Sequence, residues 1–469
     1  MNSKTDQVQA HRFMMGRLSS ALLRVDPDAP ESPLHRTYRG STIGGLIATL
    51  AAVGLLVFGL ISPGGNTAWK REGALVVGDG SGARFLYAGG KLLPVLNFAS
   101  AKLVAGTQLA VKHVAEASLA DVPRGDPLGI IGAPDALPAL AADPWEVCSA
   151  AGRDQAGLTT LRVGATSATR PLTADEAVVV GTPDGVTSLL WQGRRHRVAT
   201  DRGALDALDG VLQPVKAPTA LLDALPPGPD FGPPPIAGLG TPGPALGAAD
   251  SRIGRLYTVS GEPAQRYVLT GAGLTPVSEL DARLLTADPE IRRAAYGGGE
   301  VTVAPLPGRV VSEHLSKAEP PPPAKPPKAV TLHNGQGLCA VVTPAGATPR
   351  THLVVADRLT EDGTQPARQP GIAAPCTRVD RIAVRPGSGA LVTPATAAGR
   401  VGDARYLVTD TGVKYPVPPE GVKALGYGSA VPVGLPTTLL ALLPTGAPLD
   451  PSSLRDGGAV LPPSAACGG

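Results

Sequence analysis

Charged side chains, aromatic side chains and cysteines are all scarce in this 469-residue chain. Charged residues make up 17% and aromatic residues 3%, and the formal net charge is only +3. Proteins that bind nucleic acid neutralise phosphates with a strongly basic surface, which a charge this small does not supply. We therefore predict no nucleic-acid partner. A hydrophobic content of 43% also argues against a disordered chain.

Sequence motifs for catalysis are missing as well. The chain contains no G-x-x-x-x-G-K-[ST] loop, no G-x-S-x-G, no H-E-x-x-H and no C-x-x-C. The one G-x-G-x-x-G match, at residues 238–243, follows no predicted strand and carries Pro242 where a helix would begin, so it does not indicate a nucleotide loop. The histidines of the large C-terminal part are scattered singly. We therefore predict no catalytic residue, no cofactor and no metal site.

Glycine and proline, by contrast, are abundant. Fifty-nine glycines and fifty prolines favour short strands and tight turns over long helices. The exception is one apolar run from Ile43 to Ser62, within a stretch from Arg39 to Lys70 that has no ionisable side chain between its ends. About twenty apolar residues cross a hydrocarbon core of about 30 Å as a helix. The sequence therefore predicts a single transmembrane helix.

Two other interpretations of the apolar run fit less well. A cleaved signal peptide has an apolar core of about 7–15 residues near its start, whereas about forty largely polar residues precede this longer run. A buried helix of a soluble core is rarely uncharged over such a length. Residues 1–42 contain six Lys and Arg, and all four cysteines follow the run. Both features favour a cytoplasmic N-terminus and an extracytoplasmic C-terminal part, although Lys70 and Arg71 weaken the charge argument.

Residues 8–25 place apolar side chains along one face of a helix, which Asp26 and Pro27 end. Two interpretations remain open. The segment is either a basic amphipathic helix at the inner leaflet or on a cytoplasmic partner, or an ordinary surface helix.

An internal repeat organises the C-terminal part. Four segments share an apolar strand, a Gly turn, a second strand and a short helical run, at residues 85–104, 189–208, 267–285 and 406–425. A P-x-G landmark lies 28 or 29 residues after the second strand in three of them, from Pro94 to Pro123, from Arg197 to Pro226 and from Pro416 to Pro444, and the third copy offers only Pro307. A single hairpin does not bury its apolar face alone, so each unit must pack on a larger body.

Two proline-dense stretches, 226–244 and 320–327, predict extended spacers between modules. The fold class is therefore membrane-anchored α+β, with one N-terminal transmembrane helix and an elongated β-rich ectodomain of four hairpin-helix repeats around a central core. The predicted boundaries are 1–42 cytoplasmic region with its amphipathic helix, 43–62 transmembrane helix, 73–128 repeat 1, 129–175 first part of the core, 176–228 repeat 2, 229–250 Pro/Gly linker, 251–318 repeat 3, 319–328 Pro-rich linker, 329–400 second part of the core, 401–455 repeat 4 and 456–469 tail.

Four landmarks in this order resemble the EccB family of the actinobacterial type VII (ESX) secretion system. They are FLYAGGKLLPVLNFASAKLV at 85–104, GIIGAP at 129–134, WEVC at 145–148 and LCA at 338–340. The resemblance covers the whole chain. It implies an inner-membrane subunit with its N-terminus inside. The implied partners are further copies of itself, membrane lipid and the EccC, EccD and EccE subunits, of which EccC supplies the motor ATPases.

The four cysteines permit three full pairings, and their spacing does not choose among them. The resemblance implies a disulfide between Cys148 and Cys339. Cys376 and Cys467 would then pair by exclusion, or Cys467 would be free.

The function that we predict is that of a structural and assembly subunit that anchors and organises the periplasm-side part of the translocon. Two alternatives stay open. Members of the family have been labelled ATPases, so a membrane-tethered ATPase or other hydrolase without a Walker A loop is one, and a module that binds the cell envelope is the other.

Overall fold

The computed structural model describes most of the chain. The described residues are 4–24, 35–61, 67–150, 152, 157–164, 169–182, 184–209, 212, 214–247, 251–322, 324–333, 335–346, 348–359, 362–396, 400–455 and 458–461.

Two helices come first, Lys4–Arg24 and His35–Ile61. The second contains a 23-residue stretch, Thr37–Gly59, with a mean hydropathy of 2.1 and none of its residues buried against protein. Among the described residues it is the only helix long and apolar enough to cross a membrane, as the sequence predicted. The first helix covers most of the predicted amphipathic segment and leaves Phe13, Met14 and Leu18 exposed. Its predicted end at Asp26 and Pro27 lies outside the described residues.

Four of the described sheets share one strand order. In each, three successive antiparallel strands form a meander, and a fourth strand then pairs in parallel with the first, giving the order third, second, first, fourth. We name them sheets 1 to 4. Their strands are Ala74–Gly78, Arg84–Ala88, Lys91–Pro94 and Val111–Val114 in sheet 1; Glu176–Gly181, Thr187–Trp191, Arg194–Arg197 and Val215–Lys216 in sheet 2; Leu256–Val259, Glu262–Thr270, Gly273–Val277 and Val303–Leu306 in sheet 3; and Ser388–Ala395, Tyr406–Val408, Lys414–Pro416 and Val433–Pro436 in sheet 4.

The turn between the second and third strands is two residues long in sheets 1 and 2. Both turn residues have positive φ, 58° and 74° at Gly89 and Gly90, and 49° and 70° at Gln192 and Gly193. Positive φ at both positions is what a type I′ hairpin needs, because its twist matches that of the strands. Glycine adopts this conformation without cost, whereas Gln192 adopts it under strain.

Helices connect the third strand of each sheet to the fourth. These crossover helices are Phe98–Ala105 and Gly106–Gln108 in sheet 1, the 3₁₀ turns Thr200–Arg202 and Ala204–Ala207 in sheet 2, Glu279–Ala287 and Pro289–Tyr296 in sheet 3, and Pro419–Leu425 in sheet 4. A short return helix follows the fourth strand: Glu116–Leu119, Thr219–Asp223, Gly308–Glu313 or Thr437–Leu440. The chain then runs beside the third strand, with parallel pairing at Arg124, Pro227, Leu315 and Thr445.

A central sheet joins two distant parts of the chain. Its strand order is Arg381–Val384, Thr159–Val163, Trp145–Ala150, Gly337–Thr343, Arg350–Ala356 and Thr169–Pro171. Smaller strands extend the sheets: Lys328–Ala329 pairs with sheet 2, Ala139–Leu140, Ile372–Ala373 and Thr445–Gly446 join sheet 4, and Gly129–Ile130 pairs with Ala459–Val460 near the 3₁₀ turn Pro451–Leu454.

Continuous apolar cores join the sheets. One core combines one face of the central sheet with the return helices of sheets 2 and 4. A second packs the crossover helix of sheet 1, through Leu103, against Val422 and Leu425 of sheet 4. A third packs Leu280 and Leu284 of sheet 3 on sheet 2. The sheets are therefore linked in the order 3, 2, central, 4, 1. Each sheet packs its apolar face against a larger body, as a hairpin that is unstable alone requires.

The two proline-rich stretches, which the sequence predicts to be extended spacers, lie against the sheets where the structure describes them. Phe231 is 4% exposed, and its amide donates to the Arg197 carbonyl beside sheet 2. In the second stretch Pro326 and Pro327 are buried, and the Ala324 carbonyl accepts from the Leu280 amide. Extended proline-rich backbone keeps its carbonyls free, so it lies readily along amides of other elements.

Candidate functional site

The two faces of the central sheet differ in chemistry. One face is apolar and belongs to the largest core, with Trp145 and Val147 among its residues. The opposite face carries Cys148 and Cys339, which stand directly opposite each other on adjacent antiparallel strands. Their Cα atoms are 4.1 Å apart, their side chains are inaccessible, and they form a disulfide. The bond cross-links two segments that are 191 residues apart in sequence.

A buried ionic group lies on the same face as the disulfide. Arg162 is 2% exposed, and its guanidinium lies 3.6 Å from Glu146, which pairs with it across the strands. Two further bonds, Nε at 2.8 Å and a terminal nitrogen at 2.7 Å, join it to Asp362. A guanidinium donates hydrogen bonds in a fixed planar geometry and accepts none, so it holds both carboxylates in place. The arrangement suits a structural role, in which Arg162 fixes Glu146 and Asp362 relative to each other.

Glu146 also approaches the two sulfurs, since the three potential ligand atoms lie within 4.8 Å of one another. Zinc and similar ions bind thiolates, and a disulfide has none to offer. In its oxidised form the cluster therefore lacks the ligands for a metal.

The Gly-rich segment and His196 both make structural contacts in the described part of the chain. The Gly-rich segment 238–243 is a turn, in which the Gly240 amide donates to the Ile253 carbonyl and no helix begins. It therefore cannot cradle phosphates as the loop of a dinucleotide site does. His196 is buried with Nδ1 2.8 Å from the Pro229 carbonyl oxygen, which is a structural contact.

Sequence reasoning missed a second buried cation. The Lys414 ammonium donates to the carbonyls of Leu440 and Leu443, at the C-terminal end of the return helix of sheet 4. A cation there satisfies free carbonyls and complements the helix dipole. Burial lowers the pKa of Lys414 to about 8. Its apolar strand context gave no signal, because the partners are backbone atoms from a distant turn.

The junction between sheets 2 and 3 carries a further charged contact. Asp288 is fully buried and accepts from the Arg202 guanidinium through both carboxylate oxygens, with Nε to Oδ1 at 3.0 Å. It also accepts from the Glu290 amide and so caps the helix Pro289–Tyr296. The carboxylate raises the pKa of Arg202. These groups hold modules together and present no reactive atom to solvent.

The arrangement of one membrane-length helix before these linked sheets is that of a known family. A profile described as "Type VII secretion system ESX-1, transport TM domain B" matches residues 2–456. The chain belongs to the EccB family of type VII secretion proteins. The resemblance found in the sequence is thus confirmed.

Curated EccB relatives span nearly the whole chain. The protein named ESX-3 secretion system ATPase EccB3, from Mycolicibacterium smegmatis, is 28% identical over 94% of this chain and 88% of its own length. The protein named ESX-2 secretion system ATPase EccB2, from Mycobacterium tuberculosis, is 27% identical over 95% of this chain and 92% of its own length.

Solved structures share the fold. A chain of an intact ESX-5 inner membrane complex matches with a TM-score of 0.63 and 23% identity, covering 100% of this chain and 98% of that one. A chain of the EccB3 dimer from the ESX-3 core complex matches with a TM-score of 0.62 and 25% identity, covering 81% and 98%. One apolar N-terminal helix and a large β-rich mixed α/β body are therefore the architecture of this EccB chain, and they fit an inner-membrane protein.

The predicted cysteine sites have separate outcomes. Cys148 and Cys339 are joined, as the resemblance to EccB implied. Cys376 also takes part in a disulfide. Cys467 lies outside the described residues, so its pairing stays a prediction.

Proposed function

We propose that this EccB-family chain is a non-catalytic assembly subunit of a type VII secretion translocon. The observation that carries the proposal is a single exposed apolar helix, Thr37–Gly59, joined to a β-rich body whose sheets interlock through continuous cores. Such a molecule is built to hold position at a membrane and to offer surface to neighbours. Its charged clusters are internal locks, which suits a scaffold.

The proposed partners are further copies of the chain, membrane lipid and the EccC, EccD and EccE types of subunit. Solved chains of the same fold come from an ESX-5 inner membrane complex and from an EccB3 dimer, which supports this choice. The chain should co-migrate with these subunits when native membranes are solubilised in a mild detergent. Leu50→Lys places a charge in the middle of the apolar helix and should abolish co-migration, whereas Leu50→Ile should keep it. A wild-type chain that migrates alone would contradict the proposal.

The proposed topology places residues 1–42 in the cytoplasm and the β-rich body outside. The buried Cys148–Cys339 disulfide supports it, because such bonds persist in oxidising compartments. In intact spheroplasts a membrane-impermeant maleimide should label Ser312→Cys, on an exposed helix of sheet 3, and should label Gln7→Cys only after lysis. The reverse pattern would refute this orientation.

We also propose that sheets 1 to 4 are copies of one repeat around the central sheet. Their shared strand order and shared return pairing support this. The fourth copy then begins near Ser388, ahead of the predicted residue 401, because Ser388–Ala395 supplies its first strand. The two parts of the core become 129–175 and 329–387.

The word ATPase in the relatives' names makes nucleotide hydrolysis the principal competing outcome. Purified full-length chain, free of the motor subunit, should show no ATP turnover above a sample without protein. Saturable ATP hydrolysis by the chain in the absence of all other subunits would show that it is an enzyme and would contradict the scaffold function.

A further inference from the structure

A cavity of about 700 Å³ opens beside the edge of the central sheet. Its wall is formed by Leu158 and by residues within 365–381, and its surface is more apolar than polar, although Arg368, Arg378 and Asp380 also line it. The segment reaches from the sheet 4 extension to the edge strand Arg381–Val384. The wall is therefore held at both ends by strands, and it offers an apolar surface with no covering element among the described residues.

Cys376 follows Pro375 in this wall. It is disulfide-bonded, and Cys148 and Cys339 are bonded to each other, so the remaining cysteine of the chain is Cys467. The Cys376 amide donates to the Ala441 carbonyl, which fixes the backbone of this residue against sheet 4.

The described chain ends next to the same cavity. Val460 pairs with Ile130, and its carbonyl accepts from the Ile131 amide. Ile131 in turn touches Gly371, because a Cβ placed on that glycine would lie 2.2 Å from the Ile131 oxygen. Gly371 directly precedes Ile372 of the cavity wall. Cys467 lies six positions after residue 461, and an extended chain covers about 20 Å over six residue steps.

We propose that residues 462–469 of this same chain dock in the cavity and are covalently held there by a disulfide between Cys376 and Cys467. The sequence of the occupant, PPSAACGG, consists of small residues without charged side chains, which fits the apolar part of the wall around Ile372, Pro375 and Val379. Bond formation requires an extracytoplasmic disulfide carrier: the two thiols give up two protons and two electrons by thiol–disulfide exchange, and the carrier is released as a dithiol. The docked segment links the last strand to the edge of the central sheet.

The covalent part is tested by peptide mapping of full-length chain in detergent. Free thiols are blocked, and the unreduced protein is cleaved with trypsin. The peptide 369–378 should appear linked to 456–469, beside the control link between the peptides that contain Cys148 and Cys339. In complexes assembled from equal amounts of ¹⁴N and ¹⁵N chain, the linked peptides should be purely light or purely heavy. Linked peptides with one light and one heavy member would show that the segment comes from a second copy of the chain. An unlinked Cys467 would show that the proposed disulfide does not form. Either result overturns the proposal.

Docking itself is tested by hydrogen exchange. Cys467→Ser should raise the exchange rates of amides in residues 365–375 about tenfold or more, because the freed segment leaves its wall open. Ala466→Ser adds the same hydroxyl one position earlier and should leave these rates unchanged. Equal rates in the wild type and Cys467→Ser would show that the cavity holds some other ligand or none, which refutes docking.

Discussion

Removing the central disulfide should destabilise the protein more than any single side-chain truncation around it. The perturbation is the double change Cys148→Ala and Cys339→Ala, which deletes a bond that closes a loop of 191 residues. In the chain-entropy account, a loop of this size stabilises the folded state by about 5 kcal/mol at 25 °C. Because measured values often fall below the entropic figure, we expect a loss of about 2–5 kcal/mol in the free energy of unfolding.

The structure supplies a matched control. Val354 stands opposite Cys339 in the sheet and is 3% exposed, so Val354→Ala opens a similar gap in the same apolar cluster without cutting a cross-link. Truncations of this kind cost about 1–2 kcal/mol. The difference between the double variant and the control isolates the cross-link.

The assay is urea unfolding of the full-length chain, followed by tryptophan fluorescence, to which Trp145 contributes from a position three residues before Cys148 on the same strand. Trp145 is 1% exposed, so unfolding of the central sheet moves it into water. Wild-type protein unfolded with and without a reductant gives the combined contribution of this bond and of the disulfide at Cys376, so its loss of stability should be at least that of the double variant. Equal unfolding midpoints for the wild type and the double variant would refute the reasoning, as would a loss no larger than that of Val354→Ala.

Three further predictions test the charged and strained groups. The depressed pKa of Lys414 means that, between about pH 8 and its usual 10.5, the unfolded chain holds a proton that the folded chain has released. The stability contribution is therefore complete above about pH 10.5 and lost as the pH falls through 8, so thermal melts of wild type and Lys414→Met should diverge in favour of the wild type as the pH rises, by at most about 1.4 kcal/mol per pH unit. Asp288→Asn should cost about 1–3 kcal/mol in urea unfolding because Arg202 and the helix N-terminus lose a buried charged acceptor, whereas a cost below about 0.5 kcal/mol is expected for the exposed Glu290→Gln, and equal costs would contradict the buried lock. Gln192→Gly should stabilise the chain by about 1 kcal/mol in the same assay by relieving its positive φ, and a lower urea midpoint would show that the side chain matters more than the strain.

Strands, turns and helices could be predicted where the residues that specify them are neighbours in sequence. The second and third strands and the Gly turn of sheet 1 follow from two short apolar runs on either side of Gly89 and Gly90, and the structure has these strands at Arg84–Ala88 and Lys91–Pro94. The crossover helix after them begins at the Asn97 cap, which accepts from the Ser100 amide. These signals lie within a dozen residues, so the chain itself specifies them.

The repeat that the sequence predicted does not include the first and fourth strands of each sheet. Ala74–Gly78 and Val111–Val114 pair in parallel, although a hairpin and a helix separate them in sequence. Parallel pairing needs such a crossover, so no local turn marks it. The landmark at Pro307 shows the same limit. That residue caps the return helix Gly308–Glu313, as Pro218 and Pro436 cap theirs, while the return pairing of sheet 3 occurs at Leu315.

The sequence by itself determined the apolar N-terminal helix, the β-rich class and the family, because hydropathy over twenty residues, turn chemistry and the order of motifs are properties of the chain alone. Only the tertiary structure decided that the proline-rich stretches lie packed and that Lys414, Asp288 and Arg162 are buried with partners far along the chain. Burial and charge pairing depend on which distant segments meet, and that is fixed when the sheets share their cores.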